Sequence, residues 1–313
     1  MSDPTRVSAD EFRRLYDEAR AWEPPEDDTR LGALRYLTPE RIVSAASLVH
    51  TGTTVSLGRM LDTRPGPENP SPVEFRMTLL PTSESGLDAG AGVRFSKDYV
   101  GLDYHNDTHS HLDALSHVVY DGRLYGGAPA ALVTSEGAST GTVEVLRDGL
   151  IGRGVLLDVP RARGVRWLEP GQSVGTDDLA AAERDQGVQV APGDILLIRT
   201  GHARRLAELP PFDPANAKPG LHPSIVRFLA ERQVAALGSD GNSDTAPPVV
   251  EDEGFPIHVL AINALGIHLL DYLCFENLVA QCEAVARWEF LFVAAPLRIP
   301  HGTGSPINPI AVF

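Results

Sequence analysis

The chain has 313 residues, of which 42% are hydrophobic and 22% charged, and its formal net charge at pH 7 is −15. This length and composition are typical of a globular protein with a substantial core, and they argue against intrinsic disorder. The negative charge, with no basic cluster longer than Arg13-Arg14 or Arg204-Arg205, argues against nucleic acid or an anionic membrane as a partner, because both attract basic surfaces.

The start of the chain carries no recognisable targeting signal. The sequence Met-Ser-Asp-Pro lacks the apolar core of a signal peptide, and no apolar run reaches the length of a membrane span. We therefore expect a cytoplasmic protein.

The predicted elements alternate between helices and short strands. A capping box at Ser8–Glu11 and the Thr38-Pro39 pair each begin a helix. The Pro-rich segment 62–72 is expected to be a surface loop. Strands are predicted at 48–57, 74–80, 154–159, 194–199, 234–240, 257–270 and 288–295, and further helices at 176–184, 222–232 and 276–283. This order indicates one α/β domain with a mostly buried sheet.

A run rich in histidine and aspartate follows the first predicted strands. Four of the ten histidines lie within thirteen residues, with two aspartates among them: His105, Asp107, His109, His111, Asp113 and His117. Imidazole and carboxylate groups are good ligands for Zn²⁺, Mn²⁺ and Fe²⁺. In an extended backbone His111 and Asp113 leave the same face of the chain. A straight strand would separate the two ends of the run by about 40 Å, so we expect a bend at Asn106-Asp107 and a helical turn near 114–116.

The run Thr108-His-Ser-His-Leu-Asp-Ala-Leu-Ser-His117, followed by Asp121-Gly-Arg-Leu-Tyr125, resembles the cyclase-family hydrolases, which include bacterial kynurenine formamidases and isatin hydrolases. Their motif is His-x-Gly-Thr-His-x-Asp-x-Pro-x-His, and further similarity extends over residues 45–313. The resemblance implies a swivelling β/β/α fold of the α/β class, with a β-barrel-like core and flanking helices. It also divides the chain into an N-terminal helical segment, 1–45, and a metal hydrolase domain, 46–313.

The resemblance also implies roles for residues of the run. His111 and Asp113 match metal ligands of the family, and His117 matches its proton-transfer histidine. The first metal ligand matches either His105, which we prefer, or Asp107. His109 is expected beside the ligands.

A second part of the site is expected further along the chain. Some family members bind a second metal ion through a downstream histidine and glutamate, which correspond here to His258 and Asp271, with His268 as a competing ligand. The shorter aspartate makes this second ion less certain than the first. Asp240 ends a predicted strand, where open α/β sheets tend to bind ligands, and is either a catalytic carboxylate or a turn residue.

The implied function is hydrolysis of a C–N bond in a small amide, formamide or lactam by a water activated by a divalent ion, with zinc or manganese expected. Two alternatives stay open: a lactonase or other C–O hydrolase on the same site, and a non-catalytic protein that binds a metal or small molecule. The partners expected are a small-molecule substrate and further copies of the chain in a homodimer or homotetramer, for which the N-terminal segment is a candidate arm.

Overall fold

The computed structural model describes residues 6–22, 31–81, 93–210, 213 and 215–313. Parts of the expected N-terminal segment, 1–5 and 23–30, therefore lie outside the described residues. The helices are Ala9–Arg20 (α1), Pro39–Ala46 (α2), Val159–Arg163 (α3), Thr176–Gln186 (α4), His202–Glu208 (α5), Ile225–Glu231 (α6), Pro256–His258 (α7) and Glu276–Val285 (α8). Short 3-10 turns span Gly32–Tyr36, Tyr125–Gly127, Ala130–Leu132 and Val143–Leu146.

The strands are short. They are Thr54–Ser56 (β1), Glu74–Leu79 (β2), Lys97–Gly101 (β3), His111–Asp113 (β4), Val133–Thr134 (β5), Gly137–Ala138 (β6), Leu150–Asp158 (β7), Ser173–Val174 (β8), Ile195–Arg199 (β9), Gly220–Leu221 (β10), Ala236–Ser239 (β11), His268–Asp271 (β12), Glu289–Ala294 (β13), Gly304–Pro306 (β14) and Ile310–Val312 (β15).

Within the described residues, one mixed sheet joins nine strands in the order β1-β15-β13-β7-β9-β11-β12-β4-β14. The centre, β7-β9-β11-β12, is parallel, and the strands on both sides of it are antiparallel. The sheet curls strongly into a half-barrel with flanking helices, which confirms the expected α/β fold with a barrel-like core.

The central strands are buried on both faces. In β9, Leu196 and Ile198 belong to a hydrophobic cluster with α1, α4 and α6, while Ile195 and Leu197 belong to a second cluster with α8. A strand covered on both faces needs apolar residues at nearly every position, which explains its continuous run in the sequence.

Helix α1 packs onto the domain core. It begins at the predicted cap, where Ser8 Oγ accepts a hydrogen bond from the Glu11 amide (3.3 Å). Its buried face includes Phe12, Leu15 and Tyr16, and the Tyr16 hydroxyl donates to Asn263 Oδ1 (2.8 Å). Among the described residues, no helix is both long and apolar enough to span a membrane.

The predicted strand at 257–270 is wrong over most of its length. The structure places helix α7 there, followed by a π-helical segment, Val259–Ala264, and only then strand β12. The Asp244 carboxylate starts the helix, because its Oδ1 accepts a hydrogen bond from the Ile257 amide (2.7 Å). An apolar run cannot distinguish a buried strand from a buried helix by periodicity alone.

Candidate metal centre

Strand β4 places the central residues of the histidine run in the sheet. It pairs antiparallel with β12, so that His111 lies opposite Asp271 and Asp113 lies opposite Leu269. Residues directly opposite each other in such a pair project to the same side, and so do residues two apart. His111, Asp113 and Asp271 therefore share one face of the sheet. The chain bends over residues 105–109 before this strand, and the His117 amide closes a turn on the Ala114 carbonyl (2.9 Å) after it.

A first group of potential ligand atoms converges on the Asp113 carboxylate. His105 Nδ1 lies 2.8 Å from Asp113 Oδ1, and His111 Nε2 lies 3.6 Å from the same oxygen. One ligand atom from each of the three residues lies within 4.8 Å of the others. This cluster of His105, His111 and Asp113 could hold a metal ion.

Each imidazole of this group is oriented through its other nitrogen. His111 Nδ1 lies 2.7 Å from the His109 carbonyl oxygen, and His105 Nε2 lies 3.1 Å from Thr303 Oγ1. Hydrogen bonds of this kind fix the ring of a metal ligand and direct its free nitrogen to the ion. His109 thus supports the group through its backbone, while its own ring lies beside the Ser71 carbonyl oxygen (3.4 Å).

A second group shares Asp113 with the first and adds His117 and His258. His258 Nε2 lies 3.5 Å from Asp113 Oδ2 and also 3.5 Å from Asp271 Oδ2. His117 Nε2 lies 3.9 Å from Asp113 Oδ1, and its ring stacks on that of His105 with centroids 4.0 Å apart. The structure therefore places His258 and Asp271, the residues expected for a second ion, next to the first group of ligand atoms.

Asp244 orients His258 and was not singled out from the sequence. Its Oδ2 lies 2.6 Å from His258 Nδ1, which leaves Nε2 of that ring facing Asp113 and Asp271. The neighbouring Ser243 donates to Asp271 Oδ1 (3.0 Å). Nothing in the local sequence around Asp244 indicates its contact with His258, fourteen residues later.

The buried charges of the site shift one another's pKa values. Burial works to raise the pKa of Asp113, but the surrounding imidazoles hold it well below its ordinary value. Burial lowers the pKa of His117 to about 4, and the neighbouring histidines act in the same direction. Burial raises the pKa of Asp271 to about 8. For His258, burial is outweighed by the carboxylates of Asp113 and Asp244, which raise its pKa well above the ordinary value.

Several polar atoms at the centre are buried without a hydrogen bond of good geometry. Within the described part of the chain, these are both oxygens of Asp113, His105 Nδ1 and Asp271 Oδ2, although His105 Nδ1 approaches Asp113 Oδ1 to 2.8 Å as an ion pair. Buried polar atoms are almost always satisfied, so unsatisfied ones that converge on one point indicate a missing ligand. Imidazole nitrogens and carboxylate oxygens are the donors that a divalent transition ion prefers, so these residues fit such an ion.

Asp107 stands apart from these two groups. Its Oδ1 is bound by Lys218 Nζ and by the Tyr272 hydroxyl, and Asn242 Nδ2 lies 3.4 Å from the same atom. The structure therefore brings His105, and not Asp107, against His111 and Asp113.

Two other predicted site residues also lie apart from the centre. His268 lies opposite Ala236 of β11, on the other face of the sheet from Asp113, so it is not placed to share an ion with Asp113. The Asp240 carboxylate accepts hydrogen bonds from the amide (2.8 Å) and the hydroxyl (2.7 Å) of Thr200. It thereby joins the carboxyl ends of β9 and β11, as a turn residue does, and it is not among the residues lining the cavity at the centre.

A cavity of about 410 Å³ opens at the centre. One part of it is lined by polar residues of the site, namely His105, Asp107, His111, His117, His258 and Asp271. An apolar wall lines another part, formed by Val118, Val119, Tyr120, Phe255 and Val259. The volume and the mixed lining suit a small molecule with an apolar body and one polar group.

Comparisons with known proteins place this chain in one family. The model of the Cyclase family matches residues 22–244. A crystal structure described as that of a novel cyclase is 32% identical, covers 95% of this chain and 99% of its own, and superposes with a TM-score of 0.83.

More distant matches share the fold. Isatin hydrolase A from Ralstonia solanacearum is 21% identical over 88% of this chain and 98% of its own, with a TM-score of 0.60. Isatin hydrolase A from Labrenzia aggregata, bound to benzyl benzoate, is 22% identical over 87% and 97%, with a TM-score of 0.55. The comparison with curated proteins gave no match. The family match over most of the chain, together with the cyclase structure of similar length, shows that this chain belongs to the Cyclase family.

Proposed function

We propose that the protein is a metal-dependent hydrolase that cleaves a C–N bond of a small amide, formamide or lactam. The observation that carries the proposal is the fully buried Asp113 carboxylate, on which His105, His111 and His258 converge. A divalent ion held there, with zinc or manganese as the candidates, supplies Lewis-acid polarisation of a carbonyl and lowers the pKa of a bound water. The names of the two isatin hydrolases, which share the fold, support a lactam as one substrate class.

The chain's own residues supply the remaining chemistry. His105, His111 and Asp113 would hold the first ion, and His258 with Asp271 would contribute to a second. His117 is the proton carrier, because its burial keeps the imidazole neutral and its Nε2 faces the centre. It accepts a proton from the attacking water and returns it to the leaving nitrogen. The apolar wall, with Val118 beside His117, is placed to contact the apolar part of a substrate.

The decisive experiment combines metal analysis with a substrate panel. Purified protein, reconstituted with Zn²⁺ or Mn²⁺, is expected to retain at least one ion per chain and to hydrolyse a member of a panel of an aryl formamide, isatin and simple lactones. Preference for the C–N substrates supports the proposal, and preference for the lactones favours the C–O alternative. Stoichiometric metal without hydrolysis of any panel member would favour a binding protein and contradict the proposal.

We also propose that the protein assembles as a homodimer or homotetramer, and the hairpin of β2 and β3 supports this. Phe75 and Val100 lie opposite each other, Met77 projects to the same face, and all three are between 43% and 52% exposed. Exposed apolar patches of this kind mark interaction surfaces. A two-stranded hairpin is also only marginally stable without further packing.

Charges on this face are expected to break the assembly. The double substitution Phe75→Lys and Val100→Lys should shift the protein to a smaller species in size-exclusion chromatography with light scattering. Val43→Lys is the matched control, because Val43 is an equally apolar and even more exposed side chain on helix α2. An unchanged mass for the double variant would show that the hairpin is not the interface.

A further inference from the structure

The carboxylate of Asp107 is held in one orientation by three donors on the same oxygen. Lys218 Nζ and the Tyr272 hydroxyl both bind Oδ1, and Asn242 Nδ2 approaches it at 3.4 Å. Lys218 is 4% exposed and Tyr272 is fully buried, so neither can turn outward to water. The plane of this carboxylate is therefore fixed by the protein and not by solvent.

The other oxygen of Asp107, Oδ2, is not held by these three donors. In the described part of the chain Oδ2 takes part in no hydrogen bond and is not among the buried unsatisfied atoms, and Asp107 lines the cavity. These observations leave Oδ2 as the oxygen available to a partner in the cavity. Asp107 lines this space together with His111, and the rings of His111 and Tyr272 lie 6.4 Å apart. An oriented acceptor thus lies beside the candidate metal centre.

Asp107 belongs to neither group of converging ligand atoms, and Lys218 holds one of its two oxygens. A buried ammonium must remain paired, since leaving one buried charge uncompensated is strongly destabilising. No other carboxylate oxygen is found within ion-pair distance of Lys218 Nζ among the described residues. The lysine therefore keeps Asp107 Oδ1 on the cavity wall and leaves only Oδ2 for another partner.

We propose that Asp107 Oδ2 accepts a hydrogen bond from an N–H of the substrate next to the scissile carbonyl, which makes Asp107 a specificity-determining residue for secondary amides and lactams. This inference rests on the proposed hydrolase function. A site built around an acceptor disfavours a substrate that lacks the matching donor, because a buried acceptor then stays unpaired.

The test compares the best C–N substrate of the panel with its N-methyl derivative, for example isatin with N-methylisatin. The readout is the ratio of kcat/KM for the two substrates in wild type and in Asp107→Asn. Because Asp107→Asn alone leaves the buried Lys218 without its ion-pair partner, the same ratio is also measured in Asp107→Asn combined with Lys218→Met. In both variants the Tyr272 hydroxyl donates to the amide oxygen, so the NH₂ group faces the cavity in place of an acceptor. We expect each variant to lose about 10- to 100-fold of the preference for the N–H substrate, the size typical of a hydrogen bond to a charged group. The preference of each variant is divided by the preference of the wild type, so any difference in intrinsic reactivity between the two substrates cancels.

Two further measurements separate the outcomes. Metal content should equal that of wild type, and a loss of metal in Asp107→Asn would identify Asp107 as a ligand and overturn the inference. Asp103→Asn is the matched control, since Asp103 is exposed on the same loop outside the cavity lining. An unchanged preference in a folded, metal-loaded Asp107→Asn variant would overturn the inference alone. Absence of hydrolysis by the metal-loaded wild type would overturn the proposed function and this inference together.

Discussion

Asp113→Asn is expected to abolish stoichiometric metal binding and reduce hydrolysis to background. Asp113 belongs to both groups of ligand atoms, so one substitution removes an anionic ligand from each. Even residues that only support metal ligands change metal affinity by about 10- to 100-fold, and loss of a shared ligand should exceed that range. Metal content by elemental analysis after dialysis, together with kcat/KM on the panel, measures both effects.

Thermal unfolding gives an independent measure of the same substitution. A ligand at 100 times its Kd stabilises the native state by about 2.7 kcal/mol, so added metal should raise the Tm of the wild type by several degrees. The Tm of Asp113→Asn should not respond to metal. Without metal the variant should be less stable than wild type, because the imidazoles that hold the pKa of Asp113 well below its ordinary value lose their anionic partner.

Asp240→Asn is the matched control for Asp113→Asn. Both aspartates are fully buried, but Asp240 is bound by Thr200 outside the cavity. The control should keep its metal and its Tm response to metal, while losing about 1–3 kcal/mol of stability from weakened hydrogen bonds. Equal metal loss in both variants would show that a buried charge, and not a ligand, had been removed.

His117→Gln is expected to keep the metal and lose catalysis. Removal of a general acid–base group costs about 10²- to 10⁴-fold in rate, and the loss should appear in kcat with KM little changed. Gln retains a polar side chain of similar reach without the ability to carry the proton. Elemental analysis together with steady-state kinetics checks the prediction. Loss of metal in this variant would instead place His117 among the ligands, which its distance to Asp113 also allows.

The pH dependence gives a second check on His117. A base must be deprotonated to act, so its contribution is present above its pKa and is lost as the pH falls through it. With the pKa lowered to about 4, mainly by burial, His117 stays neutral at pH 6–8. We therefore expect any acidic limb due to His117 to lie near pH 4, and a limb at pH 6–7 that disappears in His117→Gln would contradict this assignment.

Local spacing and the family resemblance together predicted the cluster of His105, His111 and Asp113. An extended backbone was expected to place His111 and Asp113 on one face, and β4 is such a segment. The alternation of buried strands and helices also predicted the α/β class, because short, continuous apolar runs such as those of β7 and β9 are typical of strands covered on both faces.

Contacts between distant residues account for what the sequence did not predict. Lys218 lies 111 residues from Asp107 and looks like an ordinary loop lysine in the sequence. Asp240 and Asp244 follow the same strand, and only the tertiary fold decides which of the two carboxylates faces His258. The π-helical segment after α7 likewise depends on tertiary partners, among them the bonds from Asn263 Nδ2 to the Val118 and Arg123 carbonyls.

The metal-centre residues and the apolar wall of the cavity lie on different kinds of structural element, and this affects how substrate specificity can change in evolution. His111, Asp113 and Asp271 sit on paired strands, whereas Val118, Val119 and Phe255 belong to connecting segments. Connecting segments tolerate substitution better than the strands of a buried sheet. Substitutions in the apolar wall should therefore leave metal affinity unchanged. The same metal centre can then be kept while the wall residues vary, in related proteins or in a mutant library, to accept different substrates.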